Sequence, residues 1–79
     1  MRIISIEENV DIDYRTHELY TCNANSYEPK YKLCSRSTFT GDSLTLMRTD
    51  TLDNIRKIMK QIADAYEHNI RIFFIESEK

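Results

Sequence analysis

Glycine and proline occur once each, at Gly41 and Pro29, and tryptophan does not occur at all. With one glycine there is no glycine-rich loop to cradle a phosphate, and with one proline there is no proline-rich linker. Long apolar runs are missing too. Nothing approaches the roughly 20 residues of a membrane span, and the opening Met1-Arg2-Ile3-Ile4-Ser5-Ile6 meets Glu7 and Glu8 before an apolar secretion signal can form. A cytoplasmic chain that does not enter the membrane is expected. Cysteine is limited to Cys22 and Cys34, which form no C-x-x-C pair and are expected as two reduced thiols on strands that do not hold the fold together. Neither His17 nor His68 has partners at ligand spacing, so no metal and no cofactor are expected.

An excess of charge of one sign is also lacking. Eleven Lys and Arg stand against thirteen Asp and Glu, a net charge of −2. A dedicated nucleic-acid binder needs a clustered basic surface, and this balance argues against one. The 79 residues make one domain, 1–79, that buries only about 60% of its unfolded surface. Little is left over to wall a deep cleft, so binding on a surface is favoured over catalysis in a pocket.

Within these limits the pattern is readable. Leu52, Ile55, Met59, Ile62 and Tyr66, with Ile58 and Ala63, recur at spacings of three and four and predict a core-facing helix from about Thr51 to Glu67. Asp50 or Thr51 caps its start, and Asn69 ends it in the left-handed conformation. Its outer face pairs Asp53 with Lys57 and Lys60 with Asp64 at i, i+4 and reads as self-neutralised. After it, Ile70-Arg71-Ile72-Phe73-Phe74-Ile75 predicts a strand. Before it, Phe39 to Leu44 predicts a hairpin with Gly41 first in a two-residue turn, joining strands Tyr31 to Thr40 and Ser43 to Arg48. In that register Phe39 faces Leu44, Ser37 faces Leu46 and Arg36 opposes Met47. Upstream, Val10 to Arg15 alternates as a half-buried strand, Leu19 to Asn23 is another, and Arg2 to Ile6 opens the chain. Asn23 to Pro29 is the one extended polar loop.

The expected architecture is α+β: an antiparallel β-sheet of about five strands with one amphipathic helix packed on one face, in the order β-β-β-β-β-α-β. If Ile70, Ile72 and Phe74 lie under the helix, Phe73 and Ile75 face the other way, joined by Met47 and by Tyr20 or Cys22. Phe73, Ile75, Met47 and Tyr20 are therefore the expected partner-binding residues.

The opening Met1 to Ser5, the alternating charged strand, Leu44-Thr45-Leu46, the Arg48-Thr49-Asp50-Thr51-Leu52-Asp53-Asn54-Ile55 entry to the helix, its Ile62-Ala63-Asp64-Ala65-Tyr66 end and the acidic tail resemble small proteins encoded by phages and prophages of low-GC Gram-positive bacteria. The likeness spans most of the chain and departs at Asn23 to Lys32 and in the cysteine-bearing strand. It implies one of the small stand-alone accessory proteins of the host cell cytoplasm, some of which counter bacterial immunity by binding a defence protein or sequestering a signalling nucleotide.

Catalysis has little to work with. Glu7, Glu8, Asp11 and Asp13 read as the wet side of a strand, and Asp13 and Glu18 oppose a basic, ribonuclease-like use of His17, Arg15 and Tyr20. The leading expectation is a non-enzymatic inhibitor or modulator that binds a host protein and forms a homodimer. The alternatives are an oligomeric sponge for a signalling nucleotide, using Lys30, Tyr31, Lys32 and Arg36 with Tyr27, and a weak nucleic-acid binder using the same strand.

Overall fold

The computed structural model describes residues 1–23 and 30–76. Its elements run β1 (Arg2–Ser5), β2 (Val10–Asp13), a 3-10 turn (Tyr14–Thr16), β3 (His17–Asn23), β4 (Tyr31–Ser37), β5 (Ser43–Thr49), α1 (Leu52–Glu67) and β6 (Ile72–Ile75). The α+β class and the order of elements are as expected, but the single antiparallel sheet is not. The strands form two three-stranded sheets, β2-β1-β6 and β3-β4-β5, and β6 runs parallel to β1.

Local hydrogen bonds explain the division. The Asp13 side chain accepts from the Arg15 N–H at 2.9 Å, and the Thr16 hydroxyl donates to the Asp13 carbonyl at 3.1 Å. These side-chain bonds compete with the ladder and turn the chain out of the first sheet after Asp13. Strand β3 then pairs with β4 along its whole length, from His17 opposite Ser37 to Asn23 opposite Tyr31. Helix α1 carries the chain back from the second sheet to the first, where β6 takes the free side of β1.

The β4–β5 hairpin also departs from its expected register. Strand β4 stops at Ser37, whose hydroxyl accepts from the N–H groups of Phe39 and Thr40 at 3.2 Å each. The Gly41 N–H then donates to the Ser37 carbonyl at 2.9 Å, with Gly41 at φ 78° closing the turn. This loop is longer than a two-residue turn, so Arg36 faces Ser43 rather than Met47, and Ser35 faces Leu44. Phe39 is left at the tip, 81% exposed. Further along, a β-bulge at Leu33/Cys34 shifts the ladder so that Leu33 faces Met47 and Cys34 faces Thr45, with Leu46 as the extra residue. The bulge allows consecutive residues, Leu46 and Met47, both to be buried.

Helix α1 forms as read. The Thr51 hydroxyl accepts from the Asn54 N–H at its start, and Asn69 at φ 58° ends it. On the outer face Arg56 pairs with Asp53 at 3.7 Å, in place of the expected Asp53–Lys57 pair. Only Ile55 and Ile62, two turns apart, are fully buried, and they enter one core with Ile3 and Ile12 of the first sheet, Leu33, Leu46 and Met47 of the second, and Ile75. Each such side chain contributes roughly 1.5–3 kcal/mol. The far end of the stripe closes differently: Tyr66, 44% exposed, lays its ring against Tyr14 with centroids 5.0 Å apart.

Strand β6 corrects the expected faces. Ile3 pairs with Phe73 and Ser5 with Ile75, and these residues point into the core. Ile72 and Phe74, 38% and 52% exposed, point outward, as does Ile70 beside them at 46%. A strand apolar on both faces carries no alternation to choose between its two settings, and pairing with β1 chooses.

Candidate interaction surface

The outward face of the first sheet is built by the pairing of β1. Directly opposed residues share a face, so Ile4 sits beside Phe74, and Arg2 beside Ile72, with Asp11 across from Ile4 on the far side. Ile4, Ile72 and Phe74 thus form an apolar strip with Ile70 at its end. Strand β6 lies at the sheet's margin, and among the described residues its other side pairs with no strand. It has no proline, charge or bulge within its four residues to blunt that edge.

Charge surrounds the strip unevenly. Arg2 grips Asp11 through both ends of its guanidinium, which holds the Asp11 carboxyl below its usual range and raises the already high Arg2 value. Asp13 is also lowered, chiefly by the Arg15 backbone N–H that it accepts. At the Ile70 end an open groove of about 570 Å³ brings Arg2, Arg15, Arg71 and Tyr66 together with Asp13. Arg2 and Arg15 are neutralised by Asp11 and Asp13, whereas Arg71 has no ion pair among the described residues.

The residues singled out from sequence are scattered. Ile75 and Met47, 4% and 6% exposed, are core residues, and Phe73 is half-buried against the same core. None of the three forms an open face. Tyr20 lies on the outer side of the second sheet, its hydroxyl donating to the Ser43 hydroxyl at 2.8 Å. Of the expected ligand-binding set, Tyr31 packs against the core while Lys32 and Arg36 share the opposite face of β4, and Lys30 is exposed just before it. Arg36 is already engaged, 3.0 Å from Glu18 and 5.6 Å above the Tyr20 ring. Tyr27 lies outside the described residues. The strand therefore divides the cluster that a nucleotide would need. Sequence reading missed Ile4, Ile72, Phe74 and Arg71. The available signal was Arg2, whose charge keeps it in solvent and by the two-residue period of a strand turns Ile4 the same way.

Among the described residues no three His, Cys, Asp or Glu side chains gather in one place, and no described helix is long and apolar enough to cross a membrane. Comparison with protein-family models, with curated proteins and with solved structures finds no match to this chain.

Proposed function

We propose that this chain is a small non-enzymatic binding domain that docks a protein partner along the outer face and open edge of β6. One observation carries the reading: Ile72 and Phe74 point outward on a strand whose second side is unpaired among the described residues. An extended segment of a partner can add to that edge by main-chain hydrogen bonds and set alternate apolar side chains beside Ile72 and Phe74. Arg71 favours an acidic residue at one end of that segment. The resemblance to phage accessory proteins supplies the setting, in which the partner is a host protein whose activity is blocked or modified.

A second reading, a homodimer through the same edge, is favoured by the residues bracketing the strand. Arg71 precedes β6 and Glu76 follows it, so antiparallel pairing of two copies brings the Arg71 end of each against the Glu76 end of the other.

A benzophenone amino acid in place of Phe74, and separately in place of Phe39, tests the site in cells. Crosslinks from position 74 and not from 39 are expected, to a second protein on the first reading and to the chain itself on the second. Crosslinks from position 39 alone, or from neither, overturn the proposal. Light scattering of the purified chain separates dimer from monomer independently.

A further inference from the structure

On the outer face of the second sheet, β3 and β4 place two thiols side by side. Tyr20 pairs with Cys34 and Cys22 with Lys32, so Cys22 and Cys34 are diagonal neighbours on one face. Their sulfurs are 3.2 Å apart and both cysteines are free. That gap is about 1.2 Å more than the ~2.05 Å of a formed disulfide. The two thiols also differ in access: Cys22 is half-buried, while Cys34 is 4% exposed.

From this geometry we infer that Cys22 and Cys34 are a reversible dithiol–disulfide site, with Cys22 as the attacking thiol, Cys34 as the resolving thiol, and a low-molecular-weight disulfide as co-reactant. The Cys22 thiolate, having lost its proton to solvent, attacks one sulfur of the small disulfide. The S–S bond of the small molecule breaks, one thiolate leaves, and a mixed disulfide forms on Cys22. Cys34 then gives up its proton and attacks the Cys22 sulfur, expelling the second small thiolate. In sum two protein thiols are oxidised to one disulfide and one small disulfide is reduced to two thiols.

The division of roles follows from the surroundings. Burial, and then the Cys22 thiol beside it, push the Cys34 thiol upward, while Thr45 and the Lys32 ammonium pull weakly the other way. A buried, high-value thiol is a poor first attacker. It is well placed for the second step because its target is its neighbour. The bond formed would join β3 to β4 and close a ring through residues 23–33. This constrains the unfolded chain more than the folded one, whose strands are already paired.

The reduced full chain, exposed to oxidised glutathione, tests the assignment by intact mass, peptide mapping and thermal unfolding. Expected are loss of two hydrogen atoms with no retained glutathione, a Cys22–Cys34 linked peptide, no disulfide between chains and a melting temperature raised by about 5 °C or more. Cys34→Ser should stop after the first step and accumulate glutathione on Cys22. Cys22→Ser should stay largely unmodified, which keeps the test independent of whether Cys34→Ser folds. Glutathione retained on the unsubstituted chain, disulfide-linked dimers as the main product, or rapid modification of Cys22→Ser would each overturn the inference.

Discussion

The hydroxyl of Ser5 donates to the carbonyl of Leu46 at 2.6 Å, joining the two sheets by a buried bond across 41 residues of sequence. Leu46 is the extra residue of the β5 bulge. Strand β1 thus supplies a side-chain donor at the position where the ladder of the second sheet is interrupted.

Ser5→Ala is therefore expected to destabilise the domain by about 1–3 kcal/mol, since it strands a buried carbonyl while removing few apolar contacts. A lower urea midpoint with an unchanged slope is the expected result.

Ser35 presents the opposite case. It is fully buried on the core side of β4, and its hydroxyl has no hydrogen-bond partner among the described residues. Removing an unsatisfied buried hydroxyl relieves its desolvation cost, so Ser35→Ala should raise stability by about 1 kcal/mol. Thermal and urea unfolding of Ser5→Ala and Ser35→Ala side by side should move in opposite directions.

The faces of β6 predict a contrast between neighbours. Ile75→Ala removes a core side chain and should cost about 2–5 kcal/mol. Phe74→Asp places a charge where solvent already reaches and should retain a cooperative transition, while Phe73→Asp, half-buried against the core, should lower the midpoint sharply. Circular dichroism melts of the three variants provide the check.

Acid stability should depend on the first sheet. Asp11 and Asp13 have carboxyls held below the ordinary value of 3.8 in the folded chain. A lowered folded value means their contribution is complete above the unfolded value and is lost as pH falls through the folded one. Both sit at the surface, so salt should weaken the effect. In low salt, stability should decline as pH drops below about 4, and Asp11→Asn should make that decline shallower. Equal slopes for the two proteins from pH 5 to 2 would contradict it.

Much of the fold was legible because its signals are local. The 3.6-residue stripe from Leu52 to Tyr66 and the caps Thr51 and Asn69 specify α1 without reference to anything distant. The hairpin register failed because the Ser37 hydroxyl captures two backbone N–H groups, a contact that propensity for a glycine-first turn does not register. The outward face of β6 was unreadable for a different reason. Ile72, Phe73, Phe74 and Ile75 are all apolar, and their setting depends on β1, at the other end of the chain. The outward apolar residues of the strand are accordingly Ile72 and Phe74 in place of Phe73 and Ile75.

The parallel pairing of β1 with β6 also bears on synthesis. Residues 2–5 leave the ribosome first among the described elements, and the strand that completes their sheet is made last. At ~5–20 residues per second, β1 waits about 4–14 s with one side unclaimed. During that interval the β1–β2 hairpin and the second sheet can already be paired, and β6 can dock against Ile3 and Ser5 only once it has been made. A nascent chain stalled before Ile72 would present the open side of β1 to any neighbouring strand.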